Sequence, residues 1–216
     1  MVMSGMTKRD YVLQQLDKQY ERTLQHFKQM SSSRIRRQVK NVLRLIKLSK
    51  NEDVLEVGVA TGKFSSLISQ ENRVISVDIS LNNLRRAQRA VKELGVIDNF
   101  FPIVADCIRL PFFEAMFDKV VAADIVEHLS NDVFISFCRE AHRVLKRGGH
   151  FYIYTPNLLH PYELARPFRP LLRKEHIGVR TRAMISRRLK DEGFVIVESY
   201  FNNIFRRISI DAQKIL

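Results

Sequence analysis

The stretch VLEVGVATG at residues 54–62, with VISVD following at 74–78, carries most of the structural information in this chain. The apolar residues in each run predict a short buried strand, and Gly58 and Gly62 allow the backbone to turn sharply and approach a ligand. The second run ends in Asp78, whose carboxylate can accept hydrogen bonds from both hydroxyls of a ribose, as acidic residues do at this point of doubly wound folds. Together the two runs predict a site for a ligand that contains a nucleoside.

Short apolar runs alternate with helical patterns along the rest of the chain. Strands are predicted at 53–57, 73–77, 101–104, 119–123, 149–155, 194–199 and 207–211, and helices at 62–70, 81–94, 131–146 and 181–192. Strands separated by helices favour a parallel sheet that is covered on both faces. We therefore predict the α/β class: a Rossmann-like, seven-stranded, mostly parallel sheet with helices on both faces and an N-terminal helical extension.

A single domain with an extension accounts for the length of 216 residues, of which 45% are hydrophobic. Residues 1–50 are predicted to form a basic helical extension with amphipathic helices at 7–30 and 34–48. Residues 51–216 are predicted to form the cofactor-binding domain. Within it, the segment 156–180 contains four of the six prolines and no clear periodicity, which predicts a loop or short-helix insertion.

The basic charge is concentrated in two segments. The chain carries a net charge of +13, with +9 in residues 1–50 and +7 in residues 161–190, whereas residues 51–160 carry −2. Charge placed outside a neutral core favours an anionic partner: an acidic or phosphorylated small molecule, an anionic membrane surface, or RNA. RNA binding usually adds aromatic side chains for base stacking, and the insertion offers only Tyr162 and Phe168. RNA is therefore an alternative partner and not the favoured one.

Other features exclude several classes of protein. No run reaches the ~20 apolar residues of a membrane-spanning helix, and the N-terminus lacks the apolar core of a signal peptide. We therefore expect no transmembrane segment and a cytoplasmic location. Cys107 and Cys138 lack CxxC spacing, which argues against a disulfide framework and a thiolate zinc site and favours two small buried residues.

The spacing of the glycine loop distinguishes between nucleotide cofactors. Glu56, Gly58 and Gly62 form an ExGxxxG pattern, which differs from the GxGxxG pattern of dinucleotide sites. A carboxylate at the end of this strand would attract an ammonium group and repel a pyrophosphate. A ligand with a ribose and a cationic amino-acid tail therefore fits better than NAD.

These residues resemble the class I S-adenosylmethionine-dependent methyltransferases, particularly those that methylate small molecules, over about residues 40–200. The resemblance implies S-adenosylmethionine as cofactor. It assigns the methionine part of the cofactor to the loop of Glu56, Gly58, Ala60 and Gly62, and the ribose to Asp78. The adenine is assigned to Ile79, Asp106 and the backbone of Cys107. Asp124 is placed beside the reactive methyl. The family commonly has glycine in place of Ala60, so we expect a negative φ at that residue.

Candidate residues on the acceptor side follow the fourth and fifth strands. Methyl transfer needs an aligned nucleophile and, for a hydroxyl or an ammonium, a base; Asp124, His128 and His176 are the candidate catalytic residues, with His160 a further loop histidine. The spacing Asp124-x-x-Glu127-His128 is similar to a segment with which some ubiquinone-pathway O-methyltransferases and small-RNA 2′-O-methyltransferases hold a divalent cation. The same Glu-His pair also occurs in metal-free members, where it structures the loop. No metal is assigned, and a divalent cation is kept as an alternative.

The expected function is transfer of a methyl group from S-adenosylmethionine to a small or lipid-like, anionic acceptor, at oxygen. Two alternatives stay open at this point. One is methylation of RNA, and the other is a binding module that keeps the cofactor fold without catalysis.

Overall fold

The computed structural model describes residues 46–59, 62–93, 95–164, 176–202 and 207–215. They form one seven-stranded sheet of order β3-β2-β1-β4-β5-β7-β6. The strands are β1 (Asp53–Val57), β2 (Arg73–Asp78), β3 (Phe100–Val104), β4 (Phe117–Ala123), β5 (Leu145–Pro156), β6 (Phe194–Asn202) and β7 (Arg207–Lys214). The predicted seven-stranded α/β fold is confirmed.

Helices connect the strands on both faces of the sheet. They are α1 (Lys63–Ile68), α2 (Leu81–Glu93), α3 (Asn131–Val144), α4 (Pro161–Leu164) and α5 (Arg182–Asp191). The hydroxyls of Ser130 and Thr181 accept hydrogen bonds from backbone N–H groups in the first turns of α3 and α5. Such N-caps satisfy donors that the helix itself leaves unpaired, and so fix where each helix begins.

Among these seven strands, six run in one direction and β7 runs in the opposite direction. β3, β2, β1, β4 and β5 pair in parallel register, and β7 pairs antiparallel with both β5 and β6. The chain runs outward from β1 to β3 and then returns to place β4 on the other side of β1. At such a reversal of strand order the loops diverge and leave a crevice at the carboxyl ends of the strands, which is where doubly wound sheets bind ligands.

Two apolar layers cover the sheet because successive side chains of a strand point to opposite faces. One layer joins Leu55 and Val57 of β1 to Phe134 and Phe137 of α3. The opposite layer joins Val54 and Val74 to Ile68 of α1 and to Ile46. Cys107 and Cys138 are both buried with free thiols, as expected.

The end of α3 differs from the prediction. The sequence predicts a helix over residues 131–146, but α3 ends at Val144 and Leu145 already begins β5. Leu145 has an extended backbone and pairs with Phe117 of β4, while the Lys146 ammonium lies 2.9 Å from both carboxylate oxygens of Asp118. The cations that suggest a helix C-terminus therefore belong to the sheet.

Several predictions concern residues that the structure does not describe. One is the helix predicted at 7–30, and another is the helix predicted at 34–48, of which only residues 46–48 are described. The others are the backbone conformation of residue 60 and the part 165–175 of the insertion. Within the described residues, every helix is too short or too polar to cross a lipid bilayer.

Candidate cofactor and acceptor site

The carboxyl ends of β1, β2, β3 and β4 place the predicted cofactor residues along one edge of the sheet. Val57 of β1 pairs with Val77 of β2, and Asp78 pairs with Val104 of β3. The loops that carry Gly58, Asp106 and Asp124 therefore start from neighbouring strand ends. Among the described residues, the structure brings the sequence-predicted cofactor set to this edge.

Two glycines shape the loop after β1. Gly58 has φ +79°, and a Cβ on it would lie 2.9 Å from the Ile125 Cδ1 atom. Gly62 has φ +70°, and a Cβ there would lie 2.4 Å from the Cα atom of Ala87 in α2. Positive φ and the lack of space both require glycine at these positions. A side chain at either position would push this part of the chain away from Ile125 or from α2.

Glu56 is a buried carboxylate at the end of β1. Its exposure is 2%, and Oε2 accepts hydrogen bonds from the Ser65 hydroxyl and, at 2.9 Å, from the Ser76 hydroxyl. Burial raises the pKa of Glu56 to about 7, although both serine hydroxyls oppose that shift. A cationic group bound beside Glu56 would favour the ionised carboxylate, so the residue fits the amino group of an amino-acid tail.

Asp78 is held in a fixed orientation at the end of β2. Oδ1 accepts a hydrogen bond from the backbone N–H of Ser80 at 2.8 Å, and Asn83 Nδ2 lies 3.2 Å from Oδ2. Asn83 is buried in the first turn of α2 and was not selected from the sequence. Ile79 next to Asp78 is half-buried, which leaves part of its side chain available for contact with a flat ring.

The loop after β3 carries Asp106 and Cys107. Asp106 is exposed, and its Oδ1 accepts a hydrogen bond from the backbone N–H of Ile108 at 3.2 Å. Cys107 is 7% exposed, and burial raises the pKa of its thiol to about 12. The thiol is therefore protonated at neutral pH, which agrees with a backbone role for this residue and argues against a thiolate nucleophile.

Asp124 is paired with an arginine from the last strand. Arg207 at the start of β7 donates a hydrogen bond from Nη1 to Asp124 Oδ1, and its guanidinium lies over the Tyr154 ring at 5.3 Å. Asp124 has φ +56°, a conformation in which aspartate is more common than most residues. The carboxylate after β4 is thus committed to an ion pair between two distant parts of the chain.

Glu127, His128 and His176 form a compact cluster beside that ion pair. One ligand-type atom from each lies within 4.8 Å of the other two, and the two imidazole rings meet edge to face at 4.9 Å. Glu127 is 2% exposed and its Oε2 accepts a hydrogen bond from the Thr155 hydroxyl at 3.1 Å. Burial, together with the Asp124 charge, raises the pKa of Glu127 to about 8, and Arg207 opposes this.

The cluster can serve two kinds of chemistry. Imidazoles and a carboxyl group with a raised pKa can exchange protons near neutral pH. One carboxylate and two imidazoles are also donors that fit a divalent transition metal or zinc. The structure groups Glu127 and His128 with His176, while Asp124 of the predicted Asp-x-x-Glu-His set is bound to Arg207.

Arg180 fastens the segment 176–180 across the loop after β4. It is 3% exposed and donates hydrogen bonds to the carbonyl oxygens of Val126 at 2.8 Å and Leu129 at 2.9 Å. The backbone N–H of Gly178 adds a hydrogen bond to the Glu127 carbonyl oxygen at 2.8 Å. These contacts place His176 next to His128, although the two are far apart in sequence.

The sequence did not identify Arg180 or Arg207 as site residues. Their contacts join residues 54 and 83 positions apart, and the chain holds 36 lysine and arginine residues from which to choose. The sequence gives a weak indication for Arg207, because this charged residue begins a strand in which every second residue is apolar. His160, the further loop histidine, lies at the turn before α4, where its carbonyl accepts the Glu163 N–H at 2.9 Å.

Comparisons with known proteins relate this chain to methyltransferases. The profile of a methyltransferase domain family matches residues 54–149. A ubiquinone/menaquinone biosynthesis C-methyltransferase from Blochmanniella pennsylvanica is 33% identical over 100 residues, which cover 44% of this chain and 39% of that protein. A biotin biosynthesis bifunctional protein from Teredinibacter turnerae is 28% identical over 138 residues, which cover 60% of this chain and 24% of that protein.

A solved structure extends the likeness beyond the matched sequence. The crystal structure of an S-adenosylmethionine-dependent methyltransferase from Aquifex aeolicus superposes with a TM-score of 0.68 at 18% identity, covering 82% of this chain and 89% of that one. At that identity the likeness concerns the fold alone. The chain spans less than half the length of these two curated relatives.

Four features indicate the same family of proteins. They are the ExGxxxG loop, the acidic residues at the strand ends, the strand order and the matched domain. Over residues 54–149 the chain is therefore similar to a methyltransferase domain, which supports the predicted resemblance to the class I S-adenosylmethionine-dependent methyltransferases.

Proposed function

We propose that this protein transfers a methyl group from S-adenosylmethionine to an oxygen atom of a small or lipid-like, anionic acceptor. The observation that carries the proposal is the position of the Glu127, His128 and His176 cluster, which follows β4 at the edge that also holds Glu56, Asp78 and Asp106. Groups that exchange protons thus lie beside the predicted cofactor site.

Residues of this chain would bind each part of the cofactor. Glu56 attracts the amino group, Asp78 accepts from the ribose hydroxyls, and Asp106 with the Cys107 backbone holds the adenine, against which Ile79 packs. Glycine at residues 58 and 62 lets the chain pack closely against Ile125 and Ala87, where a Cβ would clash, and so keeps these residues at the edge where the ligand would bind. When bound, the cofactor would supply an electrophilic methyl carbon for the acceptor oxygen, with the C–S electron pair left on sulfur as a neutral thioether.

The acceptor half needs a group that takes the hydroxyl proton as the new bond forms. We assign this role to His128, with His176 beside it and with the Glu127 carboxyl close enough to stabilise an imidazolium. Asp124 is bound to Arg207 and so acts by fixing the loop that carries His128. The pair also places a cation near the edge where an anionic acceptor would enter.

A divalent cation is a second way in which the cluster could act. Glu127, His128 and His176 would hold it, and it would polarise an acceptor oxygen and lower the pKa of a hydroxyl. The donor types support this alternative. Calorimetric titration with Mg²⁺ and with Zn²⁺, comparing the wild type with Glu127→Gln and with the exposed control Glu114→Gln, tests it. Binding that Glu127→Gln removes favours the cation, whereas equal heats in all three proteins exclude it.

The chemistry of the acceptor is inferred from the surface of the insertion. Leu159, Leu164 and Ile177 are 53% to 66% exposed around the segment that reaches the cluster. Exposed aliphatic side chains next to a basic segment suit an acceptor with an apolar body and a negative charge, or one presented at an anionic membrane surface. The C-methyltransferase relative makes carbon the alternative acceptor atom, which mass spectrometry of the product distinguishes from oxygen.

Two measurements test the proposed function. Calorimetry should detect S-adenosylhomocysteine binding by the wild type and by the exposed control Asp98→Ala, and none by Asp78→Ala. A tritiated-methyl transfer screen against fractionated lysate should label a lipid-extractable or small anionic product. Label lost on RNase treatment would establish RNA as the acceptor instead, and absence of cofactor binding by the folded wild type would indicate a non-catalytic module.

A further inference from the structure

Glu163 is a buried carboxylate that neither the sequence motifs nor the proposed chemistry uses. It lies in α4, the four-residue helix of the insertion, and its side chain is 5% exposed. Within the described residues its Oε2 atom has no hydrogen-bond partner. An unsatisfied carboxylate in the interior is unfavourable by several kcal/mol unless it has a partner, so its retention calls for a reason.

Among the described residues, the imidazole of His176 lies within reach of this carboxylate. Glu163 Oε2 and His176 Nδ1 are 4.0 Å apart, and the His176 side chain is 2% exposed. This distance is about 1 Å longer than a hydrogen bond, and a small change of side-chain rotamer closes it. The pair lies away from solvent, where electrostatic attraction is weakly screened.

His176 touches the proposed acceptor site through its other surroundings. Its ring packs edge to face against His128, and one of its nitrogens belongs to the cluster with Glu127. A neutral imidazole carries one N–H and one lone pair, and the hydrogen bond made by one nitrogen decides which role the other plays. The position of a carboxylate near Nδ1 therefore determines what Nε2 can do.

We propose that Glu163 is a positioning residue for His176. Its carboxylate accepts a hydrogen bond from Nδ1–H, which selects the Nδ1–H tautomer and leaves the lone pair on Nε2. Residues 163 and 176 lie on either side of the part 165–175 of the insertion, so this contact also ties α4 to the segment that Arg180 fastens over the loop after β4. The consequence for methyl transfer rests on the proposed function, whereas the tautomer itself does not.

Nitrogen-15 NMR of histidine-labelled protein at pH 8.5 reads the tautomer directly, because protonated and unprotonated ring nitrogens have well separated shifts. The chain has six histidines, and His176→Asn identifies the signals of residue 176. We expect Nδ1–H in the wild type and in Glu163→Gln, which keeps an acceptor oxygen. Glu163→Met, which fills the space without an acceptor, should lose the preference, and the exposed control Leu164→Ala should keep it. Nε2–H in the wild type, or an unchanged ratio in Glu163→Met, would overturn the assignment.

Kinetics supply a second readout once an acceptor has been found. Glu163→Met should lower kcat by about tenfold and leave the KM for S-adenosylmethionine unchanged, since Glu163 lies on the acceptor side. Glu163→Ala replaces Glu163→Met if the latter fails to fold by circular dichroism. A wild-type protein that shows the Nδ1–H tautomer but binds no cofactor would refute the proposed function and leave the role of Glu163 standing.

Discussion

Gly178 packs against the backbone of Leu129 so closely that a Cβ at residue 178 would lie 1.9 Å from the Leu129 carbonyl oxygen. This contact brings the segment of His176 onto the loop of His128. Contact between two backbones leaves no flexible side chain to move aside, so any larger residue must push the two segments apart.

The substitution Gly178→Ala should therefore lower the free energy of unfolding by about 2 kcal/mol. It should also lower kcat, because it separates the two histidines. Urea denaturation measures the stability, and the neighbouring Ile177→Ala serves as control, since Ile177 is 66% exposed and should change stability little. Equal stabilities for the two variants would contradict the close contact.

The ion pair between Asp124 and Arg207 should have a measurable but modest coupling energy. The Asp124 side chain is 40% exposed, so solvent screens the attraction, and a double-mutant cycle of Asp124→Asn with Arg207→Met should give about 0.5 to 1 kcal/mol. Strictly additive effects in urea denaturation would show that the pair contributes nothing. Arg207→Met alone should raise the pKa of Glu127 further, because the guanidinium lowers it.

Cofactor affinity should depend on pH through Glu56. Burial raises the pKa of Glu56 to about 7, and the proposed contact with an ammonium group requires the ionised form. The affinity for S-adenosylhomocysteine should therefore rise about tenfold between pH 6 and pH 8. In Glu56→Gln the affinity should be weaker and flat over the same range. Calorimetry in buffers of matched ionic strength makes the comparison, and a flat wild-type profile would remove Glu56 from the site.

Stability should depend on pH through Glu127. Its pKa rises from 4.5 to about 8 on folding, so its contribution is complete below pH 4.5 and is lost as the pH rises through 8. Between pH 6 and pH 8 the wild type should lose roughly 2 kcal/mol relative to Glu127→Gln, which stays neutral. Urea denaturation of both proteins in buffer with EDTA measures the difference. A constant difference would mean that Glu127 ionises normally.

Gly58→Val should abolish binding of S-adenosylhomocysteine, because the side chain meets Ile125 and φ is +79°. Gly95→Ala separates these two causes, since Gly95 has φ +71° but nothing lies within 4 Å of the position that a Cβ would take there. The control should lose about 1 kcal/mol of stability and keep full affinity in calorimetry. Retained affinity in Gly58→Val would place the ligand elsewhere.

The bounds of β1, β2 and β3 could be predicted from the sequence to within one residue, whereas β4 and β5 begin two and four residues earlier than predicted. β1, β2 and β4 are buried on both faces, so each appears as a largely apolar run with a polar residue at or near its carboxyl end. The sequence could suggest Asp78 and Glu56 as candidate cofactor residues for that reason. The end of α3 was missed because Lys146 and Arg147 suit a helix C-terminus as well as they suit an exposed strand start.

The acceptor side was less predictable because its contacts join residues that are far apart in the sequence. His128 and His176 were both selected, but only the fold reveals that they share one cluster. Glu163, Arg180 and Arg207 act through individual hydrogen bonds or ion pairs, which leave no periodic pattern. Residue type alone does not distinguish the buried Arg180 from the half-buried Arg182 that follows it in the chain.

The place of β7 between β5 and β6 affects the order in which parts of the chain can fold during synthesis. Among the described strands β6 pairs only with β7, so residues 194–202 leave the ribosome before the strand that attaches them to the sheet exists. Arg207 emerges later than every other residue that the site uses. The nascent chain can thus form its cofactor edge early, while the acceptor side stays incomplete until translation has passed residue 214.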